Sequence, residues 1–378
     1  MSVQRLTTQP PATAGSVPGS VPGGVPGGVI GGVPGGVIVG VDTHQLTHQV
    51  ALIDGHHRRL GSREFVATAA GYRELLAWAA SHGPIHGVGV ESTGSYGAGL
   101  TRHLLGAGLE VYEVNRPEKS TRVKQGKSDP IDAYSAAEQV LTGRASGRPK
   151  IKTGAVEAIR MIKVPRDAAV KDRTRAYSQL RDLITTAPGP IHDQLIRLSG
   201  KKRVAKALLM HPDPARIHEP LHAARHALRT IARRIRSLDT EIAEADKLLT
   251  NLVKQTCPSL LAMRQVGPQS AAQMIITAGE NIDRMTSEAA FAKLTGVAPL
   301  PASSGKTTRH RLNRGGDRQA NSALYMIITG RMENHPETLA YVQRRRTEGR
   351  SNPEIIRCLK RHLARSVYRA LKTDLMTP

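Results

Sequence analysis

Between residues 37 and 142 the sequence alternates short apolar runs with amphipathic helical patterns, and this alternation restricts the fold most strongly. The run VIVGVD at 37–42 is typical of a buried strand, and HQVALID at 48–54 and RRLGSREF at 58–65 follow it across short turns. Short turns predict antiparallel pairing, so these three strands should form a meander. Helix and strand patterns then alternate at 68–82, 87–92, 96–107, 110–115 and 129–142. This order predicts an α/β layout in which the meander continues into a parallel portion.

Acidic side chains lie at the ends of several of these predicted elements. Asp42 ends the first strand, and Glu91 ends the fourth. Asp129 directly precedes Pro130, which is typical of a helix N-cap, and Asp132 follows three residues later. We interpret Asp129 as the cap and Asp132 as the third helical residue, so that both project from one helix face. The simpler alternative is that both acids only stabilise the helix N-terminus.

These four acids are predicted to meet at one edge of the sheet. Ligand sites in open α/β sheets lie at the carboxyl ends of strands, where Asp42, Glu91, Asp129 and Asp132 could converge. Four carboxylates around one point repel each other unless cations neutralise them. A pair of Mg²⁺ ions is the economical explanation, with Mn²⁺ as the alternative ion.

Positive charge is concentrated in the later part of the chain. The net charge is +23, with 54 Lys and Arg residues against 31 Asp and Glu residues. Residues 1–150 hold 14 basic and 11 acidic side chains, which leaves 40 basic and 20 acidic ones beyond them. Such an excess indicates a polyanionic partner, and nucleic acid is the first candidate. A basic surface without a specific partner is the simpler alternative, and charge does not distinguish DNA from RNA.

Cysteine content and hydropathy favour a cytoplasmic protein. The two cysteines, Cys257 and Cys358, form no CxxC pair, which argues against a disulfide scaffold or a cysteine zinc site. No apolar run approaches the ~18 residues that span a membrane, and no signal-peptide pattern begins the chain. We therefore expect no membrane partner. Aromatic residues make up 3% of the chain, which disfavours base-stacking platforms.

A regular apolar seam occupies residues 215–254. Its spacings alternate between four and three over five heptads, which is the pattern of a coiled-coil helix about 60 Å long. The seam residues are Ile217, Leu221, Ala224, Leu228, Ile231, Ile235, Leu238, Ile242, Ala245, Leu249 and Leu252. We favour an arm that meets a second copy of the chain, and the alternative is an intramolecular hairpin with residues 155–200. Residues 145–214 otherwise predict short helices within basic, Pro- and Gly-rich connections.

From residue 258 the chain is predicted to be helical around one polar, basic loop at 299–316. Ser303 and Ser304 precede Gly305 in this loop. The candidate nucleic-acid-binding residues are Lys127, Lys306, Arg309, His310, Arg311, Arg314 and Arg318. A serine beside flexible backbone and many cations could attack a phosphodiester, because the cations stabilise the pentavalent charge. The alternative is a loop that grips phosphate and whose serines only hydrogen-bond backbone oxygens.

These features together resemble the DEDD transposases of insertion sequences, whose relatives include Piv-type DNA invertases and RNA-guided "bridge RNA" recombinases. Two separated constellations occur in the same order as in that family, with the seam between them. The matching segments are VGVDTH (39–44), VESTGSYG (90–97), KSDPIDA (127–133), VGPQSA (266–271) and GVAPLPASSGKTTRHRLNRGGDRQAN (296–321). The resemblance extends from Val37 to about residue 372.

The resemblance implies an RNase H-like (RuvC-like) domain in which Asp42, Glu91, Asp129 and Asp132 form a tetrad that coordinates Mg²⁺. It also implies a helical transposase domain whose serine forms a covalent phosphoserine link to DNA. Ser304 matches that position best, and Ser303 is the second choice. Some members use an element-encoded guide RNA that pairs with donor and target DNA, so the partners that the resemblance implies are DNA and RNA. The apolar seam of residues 215–254 adds the expectation of a homo-oligomer, a dimer or tetramer, through the coiled coil.

The expected domain organisation follows from both arguments. A disordered Gly-, Pro- and Val-rich tail at 1–36 precedes an RNase H-like domain at 37–145, a linker and coiled-coil segment at 146–256, and a helical transposase domain at 257–378. The expected location is the bacterial cytoplasm, at the nucleoid. Two other functions stay open: a metal-dependent nuclease or Holliday-junction resolvase that uses water, and a non-catalytic nucleic-acid-binding regulator.

Overall fold

A computed structural model of the chain describes residues 35–114, 128–145, 147–302, 310–311 and 313–376. These residues belong to two units, one within Met1–Ser92 and Gly108–Gly147, the other within Thr93–Ala107 and Arg148–Pro378. Several predictions lie outside the described residues, namely those for the tail up to residue 34 and for Lys127, Ser303, Ser304, Lys306 and Arg309. Among the helices described, none has the length and apolar character to cross a membrane.

The strands and helices agree with most of the predicted elements. In chain order they are β1 (Val37–Thr43), β2 (Thr47–Asp54), β3 (Arg59–Val66), α1 (Ala69–Ala80), β4 (Ile85–Glu91), α2 (Ala98–Gly106), β5 (Val111–Val114), α3 (Asp129–Leu141), α4 (Gly154–Thr186), α5 (Gly189–Leu195), α6 (Gly200–Leu208), α7 (Pro220–Thr256), α8 (Pro258–Leu261), α9 (Pro268–Ala278), α10 (Glu288–Leu294), β6 (Leu300–Pro301), β7 (His310–Arg311), α11 (Arg318–Asn334), α12 (Pro336–Thr347) and α13 (Asn352–Leu375). Single turns of 3₁₀ helix lie at Pro214–Arg216 and Ile282–Arg284.

The first unit is built on a mixed sheet of five strands in the order β3-β2-β1-β4-β5. β1 pairs antiparallel with β2, and β2 with β3, whereas β4 runs parallel to β1 and β5 parallel to β4. Every residue of the central strand β1 is buried, while the edge strand β3 is mostly exposed and polar. The predicted meander and its parallel continuation are therefore confirmed, and the sheet is consistent with an RNase H-like fold.

Helix α3 packs directly against the sheet because two strand positions have no side chain. A Cβ atom on Gly40 in β1 would lie 2.0 Å from the carbonyl oxygen of Ala133. A Cβ atom on Gly89 in β4 would lie 2.7 Å from the carbonyl oxygen of Ala136. Both alanines are fully buried. Small residues on both surfaces thus let the helix backbone approach the strands closely, and this approach brings the start of α3 to the end of β1.

We expect Gly40→Ala to lower the free energy of unfolding of the first unit by about 2 kcal/mol, because the added methyl group overpacks a backbone contact that cannot yield. Urea unfolding followed by circular dichroism measures the effect. Gly61→Ala is the matched control, since its Cβ would meet only Trp78 at 3.4 Å, an ordinary contact. Equal stability of the two variants would contradict the close packing of α3 on β1.

The seam of residues 215–254 forms a long helix, α7, that pairs inside the chain with α4. Leu228 and Ile235 of α7 share a buried core with Leu180 and Ile184 of α4. Two ion pairs join the same helices: Arg166 Nε lies 2.8 Å from Asp246 Oδ1, and Arg173 Nη1 lies 2.9 Å from Asp239 Oδ1. The hairpin alternative is therefore the arrangement that the structure contains. The helix begins at Pro220, so Ile217 precedes it.

Helix α4 corrects the prediction of short helices between residues 145 and 214. It is one continuous helix of 33 residues with Pro165 in its interior. An interior proline costs about 3 kcal/mol because it removes one backbone hydrogen bond and crowds the preceding turn. Apolar residues on both sides of it, including Ile159 and Ile184, are completely buried. Each contributes roughly 1.5–3 kcal/mol of burial, so packing outweighs the local penalty.

Candidate functional site

The end of β1 lies beside the end of β4, which places two of the predicted acids in adjacent strands. Val41 pairs with Val90 in the parallel register, and Asp42 and Glu91 each come next in their strands. Both acids are buried, with 8% and 4% of their surface exposed. The hydroxyl of Thr43 donates a hydrogen bond of 3.1 Å to the carbonyl oxygen of Glu91, which ties the two strand ends together.

Helix α3 brings the other two acids, and it begins one residue earlier than predicted. Ser128 is the N-cap, in extended conformation, and Asp129 is the first helical residue. Pro130 follows as the second residue, where its missing N–H group leaves no hydrogen bond unmade. The three-residue spacing is unchanged, so Asp129 and Asp132 still share a helix face. Asp132 is buried, whereas the side chain of Asp129 is 49% exposed.

A histidine that the sequence argument missed joins this group. His44 Nε2 lies 3.3 Å from Asp42 Oδ2 and 3.4 Å from Asp129 Oδ2. One donor atom from each of these three side chains lies within 4.8 Å of the others, as metal ligands do. His44 stands two residues after Asp42 in the segment VDTH, so the signal was present in a segment already singled out.

Burial and like charge disfavour the ionised form of Asp42. Burial is the main cause that raises the pKa of this carboxyl; His44 opposes the shift, and the neighbouring Asp132 and Asp129 raise the pKa further. A divalent cation would relieve both the lost hydration and the repulsion, so these residues fit a metal ion. Carboxylate oxygens are suitable ligands for both Mg²⁺ and Mn²⁺. An imidazole nitrogen is a better ligand for Mn²⁺, a transition metal, than for Mg²⁺.

The basic loop has two ends that the structure describes. β6 and β7 pair antiparallel, with Leu300 opposite Arg311 and Pro301 opposite His310. Ser303 and Ser304 fall between these strands in the sequence and lie outside the described residues. The described cations predicted to bind nucleic acid are all exposed: His310, Arg311, Arg314 and Arg318.

Two polar residues that the sequence argument did not single out fix the base of this loop. Asp317 caps α11 by accepting hydrogen bonds from the backbone N–H groups of Gln319 and Ala320, at 2.8 and 3.0 Å. Its other carboxylate oxygen accepts from the hydroxyl of Thr277 at 2.6 Å. Asn321 donates from Nδ2 to the carbonyl oxygens of Thr295 and Gly296, both at 3.0 Å.

Close backbone packing at the same place requires glycine. Gly296 and Gly316 have φ values of +67° and +86°, which L-residues with side chains rarely adopt. A Cβ atom on Gly316 would also lie 2.6 Å from the carbonyl oxygen of Leu294. The backbone N–H of Asp317 donates to the carbonyl oxygen of Leu294 at 2.7 Å, so the two ends of the loop are held together by this bond, by those of Asn321 and by the glycine contacts.

Several proteins of insertion elements are similar to this chain. The proposed transposase of the IS117 mini-circle of Streptomyces coelicolor is 24% identical over 357 residues, covering 80% of this chain and 86% of that protein. An uncharacterised 42 kDa protein of insertion element IS900 of Mycobacterium paratuberculosis is 24% identical over 145 residues. An uncharacterised 43.6 kDa protein of insertion element IS110 of S. coelicolor is 28% identical over 116 residues. The IS900 and IS110 matches cover 38% and 30% of this chain, and only 36% and 28% of those proteins.

Two family models match separate parts of the chain. Residues 39–187, which include the sheet and α3, match the model of the IS110-type DEDD transposases, described as "Transposase". Residues 257–343, which include the basic loop, match the model described as "Transposase IS116/IS110/IS902 family". The two models together cover well over half of the chain, in the order in which the two constellations occur. The chain therefore belongs to the IS110 family of DEDD transposases.

Proposed function

We propose that this chain cuts and rejoins DNA as the transposase of an insertion sequence, with a divalent metal site at the edge of its sheet. The observation that carries the proposal is the group of Asp42, His44 and Asp129, whose donor atoms lie within 4.8 Å of one another. Asp132 acts on the same carboxyl electrostatically. We include Glu91 because it follows the β4 residue that pairs with Val41. The four acids form the proposed tetrad, and His44 adds a fifth donor.

Strand β1 and helix α3 hold carboxylates of the proposed metal site in fixed positions. A divalent ion, Mg²⁺ or Mn²⁺, would polarise the scissile phosphate and stabilise the charge that develops on its oxygens. Asp42 is held by a fully buried strand, and Asp129 and Asp132 by the first turns of α3. Groups on packed strands and helices keep their positions to a fraction of an ångström, which phosphoryl transfer requires. The close contact at Gly40 sets the distance between these two elements.

We further propose that Ser304, with Ser303 as the second choice, supplies the nucleophile. The serine oxygen would form a bond to phosphorus while the bond to the DNA 3′-oxygen breaks. The serine proton would leave through solvent, and the departing oxygen would take up a proton to become a 3′-hydroxyl. A 3′-hydroxyl from another strand would then attack the phosphoserine and release the serine. One phosphoester bond is conserved at each step, so no ATP is needed. The loop whose ends are fixed by Asp317 and Asn321 supports this role.

The proposed partners are donor DNA, target DNA and a structured RNA encoded by the element, at the bacterial nucleoid. The excess of basic over acidic residues beyond residue 150 supports a polyanionic partner. A low aromatic content fits recognition by base pairing rather than by stacking on the protein. We also propose a homo-oligomer, a dimer or tetramer. Its contact would lie outside the side of α7 that packs on α4, because Leu228 and Ile235 are already buried there.

A reconstituted recombination assay tests this function. The purified chain, with its co-purifying RNA, is incubated with DNA carrying both element ends and a target, and junctions are sequenced. We expect joined products with Mg²⁺ or Mn²⁺, none in a chelator, and none after ribonuclease treatment. His44→Ala should lower activity in Mn²⁺ more than in Mg²⁺, because an imidazole nitrogen binds Mn²⁺ more strongly than it binds the harder Mg²⁺ ion. Cleaved but unjoined DNA would support the nuclease alternative instead, and absence of cleavage with every divalent ion would contradict the proposal.

A further inference from the structure

A cationic cavity of about 460 Å³ lies within the second unit, between the base of the basic loop and helix α13. Six lysine and arginine side chains line it, Arg311, Arg345, Arg350, Arg357, Lys360 and Arg361, together with two histidines, His310 and His362. Among the described residues that line the cavity, the single carboxylate is that of Glu354. This carboxylate already accepts hydrogen bonds from the backbone N–H and the hydroxyl of Ser351, at 3.0 and 2.8 Å. The cavity therefore carries a large excess of positive charge.

The most buried of these cations is Lys360, with 7% of its surface exposed. Its Nζ donates a 2.7 Å hydrogen bond to Oδ1 of Asn321, the residue that holds the base of the loop. An ammonium group has three donors, and within the described residues this bond uses one of them. Burial, with a smaller contribution from Arg357, lowers the pKa of Lys360. A buried cation at a cavity, with donors to spare, is stabilised by an anionic acceptor.

The other cations of the cavity differ in whether an acid already neutralises them. Arg345 pairs with Glu348 on the adjoining turn, and Arg361 lies 3.5 Å from Glu288. Arg350 and Arg357 make no ion pair within 4.0 Å of any acid that the structure describes; Glu354 acts on both only as a nearby charge, and its carboxylate accepts its hydrogen bonds from Ser351 instead. Guanidinium groups bind phosphate oxygens with two parallel hydrogen bonds, so these two arginines are suited to an incoming phosphate.

We propose that this cavity binds a phosphodiester group of a nucleic-acid backbone, with Arg350 and Arg357 as its charge contacts and Lys360 as its buried donor. The inference rests on the proposed function only in taking DNA and RNA as the partners. Both carry the same phosphodiester chemistry, and the test distinguishes them. The site uses residues of the second unit, whereas the acids at the edge of the sheet belong to the first. Its contacts go to the backbone and would hold a strand in place without reading its sequence.

The chain contains a built-in reporter for occupancy of this cavity. Cys358 lines the cavity and is half-buried, whereas Cys257, the other cysteine of the chain, is fully buried. Alkylation of Cys358 by iodoacetamide, followed by mass spectrometry, therefore measures access to the cavity. The full chain, stripped of bound nucleic acid, is tested in a chelator with a 12-nucleotide DNA or RNA strand. At an oligonucleotide concentration of about ten times Kd, we expect alkylation to slow about tenfold, because mass action leaves about a tenth of the sites open.

Two double variants distinguish binding of the oligonucleotide in the cavity from nonspecific electrostatic binding elsewhere on this basic protein. Arg350→Gln with Arg357→Gln removes two charges from the cavity, and we expect protection of Cys358 to be lost. Arg369→Gln with Lys372→Gln removes two exposed charges of helix α13 that lie outside the cavity, and protection should remain. Circular dichroism checks that both variants stay folded.

Protection by DNA, by RNA or by both supports the site and assigns the strand it holds. Lack of protection of the unmodified chain by either strand, or equal loss in both double variants, would overturn it. Because the chelator prevents cleavage, this result is independent of the recombination assay. A negative recombination assay would not contradict the phosphodiester site in the cavity. A negative alkylation experiment would not contradict the metal site at the edge of the sheet.

Discussion

Asp42→Asn is expected to lower DNA cleavage by a factor of about a hundred to a thousand while the protein stays folded. The change removes a negative charge from the centre of the proposed metal site, and single electrostatic contacts in phosphoryl and acyl transfer are worth 10²–10³ in rate. The same change should raise the melting temperature in a chelator. The pKa of Asp42 is raised by burial and by neighbouring acids, so its ionised form destabilises the ion-free protein at neutral pH, and a neutral amide removes this destabilisation.

Thermal unfolding with and without divalent ions gives the second part of this result. At an ion concentration of about 100 times Kd, binding should stabilise the unmodified protein by about 2.7 kcal/mol, and Asp42→Asn should lose most of this gain. Glu64→Gln is the matched control, because Glu64 is an exposed acid on the edge strand β3. A variant at Asp42 that keeps the full stabilisation by Mg²⁺ or Mn²⁺ would exclude this carboxylate as a ligand.

Ser304→Ala is expected to abolish the covalent protein–DNA adduct and to lower recombination by a factor of a thousand or more. Alanine has no oxygen to attack phosphorus, and loss of a nucleophile removes the whole pathway rather than one stabilising contact. The adduct is measured on a denaturing gel with end-labelled DNA, and the modified peptide is identified by mass spectrometry. Ser303→Ala removes a neighbouring hydroxyl in the same loop and should change adduct formation by about threefold or less.

Three outcomes distinguish the mechanisms. If Ser303→Ala loses the adduct and Ser304→Ala keeps it, Ser303 is the nucleophile and the assignment of Ser304 is wrong. If both variants keep cleaving DNA without any adduct in the unmodified protein, water is the nucleophile and the chain is a nuclease. If cleavage ends in Asp42→Asn but a double variant, Ser303→Ala with Ser304→Ala, still joins strands, the metal site acts without either serine.

The positions of the four acids in their elements followed largely from local sequence patterns. Buried strands such as β1 have continuous apolar runs, and an Asp-Pro pair marks a helix start, so each acid could be assigned to the end of an element. Strand direction followed from the lengths of the connections. His44 was missed because it lies in a turn after β1, where no periodicity shows which way a side chain points. Its distances to Asp42 and Asp129 depend on where α3 lies on the sheet.

Predictions for the second unit failed where the conformation or role of one element depends on its packing against another element. Pro165 and the many charges of α4 predict short helices when taken alone, and only burial against α7 makes the continuous helix favourable. The role of Lys360 was likewise missed, because only the fold places its ammonium group on Asn321 at the base of the loop. Both errors concern side chains whose partners are far away in the sequence.

The sequence by itself determined most of the strands and helices of the first unit, which face of each is apolar, and that acids lie at the ends of β1 and β4 and at the start of α3. These properties depend on neighbours within a turn or two, where periodicity and caps act. Only the tertiary structure decided what covers each apolar face, and it selected α4 for the seam of α7. It also decided that His44 joins Asp42 and Asp129, because a distance of 3.3 or 3.4 Å depends on the packing of α3 against β1 at Gly40.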